Sequence, residues 1–196
     1  MDPMRTTPAQ LVPSAQPGRR VFAVRGLGVL AGLVAAGTSG VAAHAAPARR
    51  VRAEEEGWSF CDRCYGMVHL YFGQGVGRCA GAPAGHYLAG YSFAMPHDVP
   101  ETANAQANWR ACQRCYGLFF FGYPSGGWCP AGGSHYASGI NYVLPHEVAE
   151  TPKSQAYWRF CTKCYGLFYW GYPTKGACPA GGAHEAAGYN FVIPHH

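Results

Sequence analysis

Three short segments of the chain alternate between apolar and polar positions, and each ends in Pro-His. They run from Tyr91 to His97, from Ile140 to His146 and from Tyr189 to His195. A period of two with aromatic and β-branched residues, bounded by glycine and proline, is typical of a half-buried β-strand. The apolar runs that start at Leu118 and Leu167 lead into Gly-Tyr-Pro turns and predict further strands. No stretch after residue 57 has a helical period, so the pattern predicts an all-β, loop-rich chain.

These segments belong to a module that occurs three times. Each copy begins with Trp-x-x-Cys-x-x-Cys-Tyr-Gly, at Trp58, Trp109 and Trp158. An aromatic run, a glycine-rich turn, a third cysteine, a histidine and the alternating strand follow in the same order. A repeat of about 50 residues is typical of units that bury a continuous core only with their neighbours.

The repeat divides the chain into five parts. We expect an export signal over residues 1–45, a flexible charged tail over 46–57, and modules over 58–107, 108–157 and 158–196. The connectors after the first two modules also repeat, as His-Asp-Val-Pro-Glu-Thr and His-Glu-Val-Ala-Glu-Thr. A passive tether has no physical reason to keep its residues, so this repetition favours a compact pseudo-threefold array over independent beads.

The first 45 residues have the features of an export signal. Arg19 and Arg20 precede an apolar stretch from Val29 to Ala43, which ends in the cleavage-site motif Ala43-His44-Ala45. Five glycines between positions 26 and 40 weaken the stretch as a membrane anchor. Paired arginines resemble the twin-arginine signal, whose route carries folded proteins, so the sequence predicts a secreted, extracellular protein.

Composition narrows the classes of partner. With 27 glycines, 15 prolines and only 13% charged residues, the chain is rich in turns and needs cross-links to stay folded. Its net charge of +5 includes four arginines that precede the predicted cleavage site. The mature chain is therefore close to neutral, which predicts no binding to nucleic acid and none to membranes.

Each module holds three cysteines and one histidine at matching positions. The expected metal ligands are Cys61, Cys64, Cys79 and His86 in module 1, Cys112, Cys115, Cys129 and His135 in module 2, and Cys161, Cys164, Cys178 and His184 in module 3. Three thiolates and one imidazole complete a closed tetrahedral zinc site, so we expect three structural Zn²⁺ ions. A module of this size buries too little apolar surface alone, whereas a structural zinc contributes an apparent ~10–16 kcal/mol.

Other uses of these residues stay open at this point. Disulfides are common in secreted chains, but nine cysteines leave one unpaired. In each module a second histidine, at His97, His146 or His195, is a rival fourth ligand. The first module has one more residue between its third cysteine and its histidine, which makes its site the least regular. The three tryptophans are expected to be packing lids over the metal sites, with sugar stacking as the alternative.

The Trp-x-x-Cys-x-x-Cys-Tyr-Gly and Cys-Pro-Ala-Gly-Gly-x-His segments resemble tandem cysteine repeats of secreted actinobacterial proteins. The resemblance covers residues 58–196. The export signal, the short charged tail and these modules together also resemble the small bridging subunit of umbrella toxin particles. That resemblance implies an adaptor, because in the family the subunit connects a lectin-bearing subunit to the stalk of a toxin.

The acidic residues are scattered, and no nucleophile elbow or phosphate loop occurs, so the sequence predicts no enzyme.

Our first hypothesis is an adaptor that binds other secreted protein subunits. The aromatic residues expected to bind a partner are Phe120, Tyr123, Trp128, Tyr169, Trp170 and Tyr172. The alternative is a carbohydrate or cell-wall binder with three equivalent sites, for which Gln74 breaks the equivalence of Tyr123 and Tyr172. An inhibitor of an exported hydrolase is a third option.

Overall fold

Nine β-strands form the regular structure of residues 53–70 and 77–196, the part of the chain that the computed structural model describes. The strands are β1 (Glu54–Cys61), β2 (Met67–His69), β3 (Leu88–Pro96), β4 (Ala105–Ala111), β5 (Leu118–Phe120), β6 (Tyr142–Pro145), β7 (Ser154–Cys161), β8 (Leu167–Tyr169) and β9 (Ala186–Pro194). The predicted export signal over 1–45 and residues 46–52 of the predicted tail lie outside the described residues. Within them, no helix is long and apolar enough to span a bilayer.

The strands form three antiparallel sheets of the same design. Their orders are β2-β1-β3, β5-β4-β6 and β8-β7-β9, so the first strand of each module lies in the middle. We keep the names modules 1, 2 and 3 for these units. The architecture confirms the predicted all-β class with three tandem hairpin modules. It also confirms strands in the closing segments and in the runs that begin at Leu118 and Leu167.

A tryptophan lies at the centre of each sheet, opposite an aromatic residue of the closing strand. Trp58 pairs with Phe93, for example, and Trp158 with Phe191. Just before each tryptophan the register shifts. The residue there has a positive φ: 87° at Gly57, 68° at Asn108 and 67° at Tyr157. Such a bulge turns the strand and breaks the period of two at this point.

The three modules share one core. Trp58, Trp109 and Trp158 are fully buried in a single cluster that also contains Met67 and Leu118. Each tryptophan contacts, edge to face, a closing-strand ring of another module. The pairs are Trp58 with Tyr142 (5.0 Å), Trp109 with Phe191 (5.1 Å) and Trp158 with Phe93 (5.3 Å). Module 1 thus meets module 2, module 2 meets module 3, and module 3 returns to module 1.

The ring is closed at both ends of the described chain. The backbone N–H of His196 donates to the Ser92 carbonyl (3.0 Å), and that of His97 donates to the Ala53 carbonyl (3.0 Å). The first strand and the C-terminus therefore lie on either side of β3 in the same module. This arrangement is the compact pseudo-threefold array expected from the repeated connectors.

The connectors are ordered by their acidic residues. Glu101 Oε2 accepts a hydrogen bond from the Ala107 N–H (3.1 Å), and Glu150 Oε1 accepts one from the Ala156 N–H (3.2 Å). Glu147 Oε1 accepts from the Asn190 N–H (2.7 Å), which ties the second connector to module 3. These acidic residues recur because each of them accepts a hydrogen bond from a backbone N–H group.

The module boundaries differ from those expected from the sequence. β1 begins at Glu54, inside the range predicted as a flexible tail, and β4 and β7 begin before the predicted module starts at 108 and 158. The charged residues Glu54 to Glu56 show no apolar alternation, yet Glu54 and Glu55 pair with Pro96 and Met95 of β3. Pairing with the closing strand, rather than local pattern, extends the first strand.

Candidate metal centres

Each module brings its three predicted cysteines and its first histidine into one cluster. In every cluster the four ligand atoms lie within 4.8 Å of one another. The clusters are Cys61, Cys64, Cys79 and His86; Cys112, Cys115, Cys129 and His135; and Cys161, Cys164, Cys178 and His184. Module 1 forms the same cluster despite its longer spacing.

The distances within the clusters are too long for disulfides and regular enough for a metal. The first and third sulfurs are 3.8 Å apart in module 1 and 3.9 Å apart in modules 2 and 3, whereas a disulfide bond measures about 2.05 Å. The second sulfur lies 3.4–3.5 Å from histidine Nδ1. All nine cysteines fall within the described residues, and all are free thiols. Each cluster can therefore hold one tetrahedral cation.

The first two cysteines of each cluster belong to a tight turn. In module 1, the Tyr65 N–H donates to the Cys61 carbonyl (2.8 Å) and the Cys61 N–H donates to the Gly66 carbonyl (3.0 Å). Tyr65 has a φ of 62°, and a Cβ on Gly66 would lie 3.4 Å from Cys64 Sγ. The same bonds recur in modules 2 and 3. This turn aims two sulfurs at one point.

The third cysteine and the histidine belong to the second, glycine-rich turn. The N–H of Ala131 lies 3.4 Å from Cys129 Sγ and can donate to a thiolate there, as the N–H of Gly81 can to Cys79 Sγ at 3.3 Å. A basic residue of the first turn braces the second turn: Arg114 donates to the Ala131 carbonyl (2.8 Å), and Lys163 to the Gly181 carbonyl (2.9 Å). In modules 2 and 3 the two halves of the site are thus connected by hydrogen bonds as well as by the ligands.

The clusters concentrate negative charge. Hydrogen bonds from Cys64 and Cys79 hold the pKa of Cys61 far below its usual value, while the bond to Cys61 raises the pKa of Cys64. Burial opposes the charged ring of His86, but hydrogen bonds and attraction from Cys61 and Cys79 raise its pKa to about 9. His135 and His184 have the same raised pKa, to about 9, for the same reasons. Without a metal, a proton supplies the positive charge that the cluster attracts.

The ligand histidines of modules 1 and 3 also connect their sites to a neighbouring module. His86 Nε2 lies 3.0 Å from the Cys115 carbonyl, and His184 Nε2 lies 3.0 Å from the Cys64 carbonyl. Because a carbonyl only accepts, Nε2 carries a proton, and Nδ1 is the nitrogen that faces the sulfurs and that a metal ion would bind in place of its proton. Such an outer hydrogen bond fixes the tautomer and orientation of a metal-binding imidazole.

A glycine two residues before each third cysteine packs against the next site. A Cβ on Gly77, Gly127 or Gly176 would lie 2.3–2.4 Å from the carbonyl oxygen of Cys115, Cys164 or Cys64, respectively. Their φ values are 65–67°. Sequence reasoning missed these positions, although the Gly-x-Cys pattern occurs in all three copies and could have indicated them.

The rival histidines lie away from the metal clusters. His146 stacks on Tyr189 and His195 on Tyr91, each with 3.7 Å between ring centroids, while His97 Nδ1 lies 3.0 Å from Asp98 Oδ2. The expectation that the tryptophans cover the metal sites is wrong. Each first cysteine is the third residue after its tryptophan, so the two side chains point to opposite faces of the strand, and the tryptophan faces the shared core.

The aromatic residues expected to bind a partner divide into two groups. Phe120 and Tyr169 pack against the shared core, and Trp170 is partly buried beneath the Lys175 ammonium, 3.8 Å from its ring centroid. Tyr123, Trp128 and Tyr172 are exposed, Trp128 by 59%. Gln74, the residue expected to break the equivalence in module 1, lies outside the described residues.

The three metal clusters surround a shallow apolar depression on the pseudo-threefold axis. Equivalent residues of all three modules line it, including Met67, Leu118 and Leu167 and the three ligand histidines. Trp128 stands beside it with Pro130 and Pro179. We call this surface the axial face. This face could not be predicted from the sequence, because its residues come together only when the ring closes.

Comparison of the chain with protein-family models, curated proteins and solved structures found no match. Its chemistry therefore has to be inferred from the three clusters and the surfaces that they support.

Proposed function

We propose that this protein is an exported, non-enzymatic adaptor whose three structural zinc ions hold a docking surface for other secreted protein subunits. The resemblance of its modules to a bridging subunit points to an extracellular assembly such as a toxin particle. The proposal has three parts, namely the metal, its structural role and the docking surface.

Zinc is the ion that best fits the clusters. Zn–S bonds of about 2.3 Å and Zn–N bonds of about 2.0–2.1 Å give tetrahedral edges of about 3.8 Å between sulfurs and about 3.5 Å between sulfur and nitrogen. The clusters have 3.8–3.9 Å and 3.4–3.5 Å for these edges. Thiolate ligands also disfavour Mg²⁺ and Ca²⁺, which prefer oxygen.

A structural role follows from the completeness of the ligand set. Three cysteines and a histidine fill the four positions of a tetrahedral ion and leave none for a substrate. Each ion would join the first turn of a module to its second turn. The hydrogen bonds from Nε2 of His86 and His184 would then hold the ordered site against the next module.

The observation that carries the docking proposal is the exposure of Trp128 at the edge of the axial face. It is 59% exposed, although tryptophan is usually among the most buried residues of a small domain. Next to it are proline and glycine turns and the apolar depression. An exposed tryptophan beside an apolar hollow is typical of the centre of a protein interface.

The test is affinity purification of the tagged, zinc-loaded protein from the culture medium of the source cells, with quantitative mass spectrometry. We expect specific secreted proteins to be recovered with the wild type and at least tenfold less of them with Trp128→Ala. Tyr157→Ala is the matched control, since Tyr157 is 52% exposed and lies outside the axial face.

Zinc analysis accompanies each variant, because three ions per chain show that the fold is intact. Equal recovery with Trp128→Ala would contradict the axial face as the docking surface. Recovery of no specific protein with the wild type would contradict the adaptor function itself.

A further inference from the structure

A cleft lies on the boundary between modules 2 and 3, and it contains no metal ligand, although its Thr162 follows the ligand Cys161 directly. Its volume is about 300 Å³. The side chains that shape it are Gln106, Phe120 and Tyr123 of module 2 and Phe160, Thr162 and Tyr189 of module 3. None of the residues that line it is charged, so the cleft suits an uncharged ligand.

The aromatic rings of the cleft are held in place by their neighbours. Phe160 contacts Phe120 at 6.0 Å and Tyr123 at 5.9 Å between ring centroids. Tyr189 stacks on the buried His146. Tyr123 and Tyr189 nevertheless remain 49% and 43% exposed. The cleft therefore offers ordered, accessible rings that lose little conformational entropy when a ligand binds.

The polar groups of the cleft are also fixed. Gln106 Oε1 accepts a hydrogen bond from Trp109 Nε1 (3.1 Å), which leaves its amide N–H groups as donors. Thr162 is exposed and can donate and accept. At Gly188 an added Cβ would meet nothing within 4 Å, so the floor beside Tyr189 is open. Aromatic rings, an amide and a hydroxyl thus converge around one uncharged hollow.

A similar set of aromatic residues, with a glutamine, recurs on the boundary between modules 3 and 1. Phe60 contacts Tyr169 at 6.0 Å and Tyr172 at 5.9 Å, and Tyr91 stacks on His195 at 3.7 Å. Gln155 Oε1 accepts from Trp158 Nε1 at 3.1 Å, as Gln106 does from Trp109. Asp62 takes the position of Thr162 and is paired with Arg63 at 3.4 Å. The equivalent contacts agree to within 0.1 Å.

The boundary between modules 1 and 2 has a different lining. Ala111 stands where Phe60 and Phe160 stand in the other modules, and Ile140 stands where Tyr91 and Tyr189 do. Among residues 53–70 and 77–196, this aromatic cleft therefore occurs on two module boundaries, whereas a repeat that binds carbohydrate at equivalent sites was expected to have three.

We propose that these two clefts are binding sites for an uncharged carbohydrate, a function beyond protein docking at the axial face. The apolar C–H face of a pyranose ring packs on tyrosine and phenylalanine, while its hydroxyls exchange hydrogen bonds with the glutamine amide. They also bond to the Thr162 hydroxyl in one cleft and donate to the Asp62 carboxylate in the other. A volume of about 300 Å³ is at the small end of ligand sites and suits one or two sugar units of a longer glycan. Two sites on one rigid ring increase avidity for a polysaccharide.

The experiment is calorimetric titration of the zinc-loaded full chain with cellotetraose, chitotetraose and maltotetraose. We expect at least one of these to bind with two sites per chain. Tyr189→Ala removes the site between modules 2 and 3, and Tyr91→Ala removes the other, so each variant keeps one site and the double variant keeps none. Tyr136→Ala is the control, because Tyr136 is 61% exposed and belongs to neither cleft.

Since Tyr189 and Tyr91 also stack on histidines, a second variant separates binding from folding. Thr162→Arg fills and charges the cleft between modules 2 and 3 without touching a stack, and should reduce two sites to one while three zinc ions stay bound. The proposal is overturned if none of the three oligosaccharides binds, or if binding is unchanged in the tyrosine variants. It is also overturned if a decaproline peptide occupies the clefts and the sugars do not.

Discussion

At the residue scale, the ring geometry depends on the glycine that lies two residues before the third cysteine of each module. Gly127 has a φ of 66° and lies against the Cys164 carbonyl of the next module. Gly133, in the same turn, has a φ of 64° but faces open space. The two positions therefore separate backbone strain from close packing between modules.

We expect Gly127→Ala to lower the free energy of unfolding by about 3 kcal/mol or more, because it adds a clash with backbone to the left-handed strain. Gly133→Ala carries only the strain, roughly 1–2 kcal/mol. Urea unfolding of the two zinc-loaded variants checks the difference. Equal losses would mean that the modules do not pack as closely at Gly127 as the structure has them.

At the element scale, the bulges in the central strands of modules 2 and 3 depend on an asparagine of the closing segment. Asn190 Oδ1 accepts a hydrogen bond from the Tyr157 N–H (2.9 Å), and Asn141 Oδ1 accepts one from the Asn108 N–H (2.9 Å). Asn141 Oδ1 is also in contact with Arg110. The backbone N–H that has no acceptor in the neighbouring strand because of the bulge therefore donates to an asparagine side chain instead.

Asn190→Ala should therefore lower the free energy of unfolding by about 1 kcal/mol, the usual net worth of one hydrogen bond. Asn141→Ala should cost more, because it leaves two donors without their acceptor. Thermal unfolding of both variants, with zinc content as the control, measures the two losses. A smaller loss for Asn141→Ala than for Asn190→Ala would contradict this view of the bulge.

The elements differ in how far they could be predicted from the sequence. The closing strands, the aromatic runs and the twelve residues of the metal clusters were predictable, because each depends on spacing within one module. The start of β1 was not, since Glu54 and Glu55 are in a strand only through pairing with β3. Burial of Ala94, Val143 and Val192 on the second face of the closing strands was missed as well. In module 2 the connector residue Val99 covers that face, a contact that no local pattern records.

At the scale of the whole molecule, the clusters make stability depend on metal and on pH. His86, His135 and His184 have pKa values raised to about 9 in the metal-free fold. Below that pH a metal ion must displace a proton from each histidine, so zinc affinity should weaken as the pH falls from about 9 to 6. Competition with a chromogenic chelator at several pH values measures this slope.

The stability of the metal-free fold depends on two opposite effects. The raised pKa of each histidine contributes stability that is lost as the pH rises through about 9, whereas the lowered pKa of Cys61, Cys112 and Cys161 contributes stability that increases with pH up to the usual thiol pKa. The two effects offset each other between the usual histidine and thiol pKa values, so the metal-free fold should depend little on pH there. Thermal unfolding of chelator-treated protein from about pH 6.5 to 9 measures this dependence. Zinc affinity independent of pH, or a steep change in the stability of the metal-free fold in either direction, would show that the clusters do not pair a thiolate with a charged histidine.

Because module 3 contacts module 1, the ring has no structural beginning, and no module is the first one by its contacts. Because the described start of the chain and its C-terminus both border β3, the order in which the modules are translated is separable from the shape that they make. Joining those ends and reopening the chain in either connector would leave every contact between neighbours in place. Gene duplication followed by permutation can therefore produce the same ring from several different sequences.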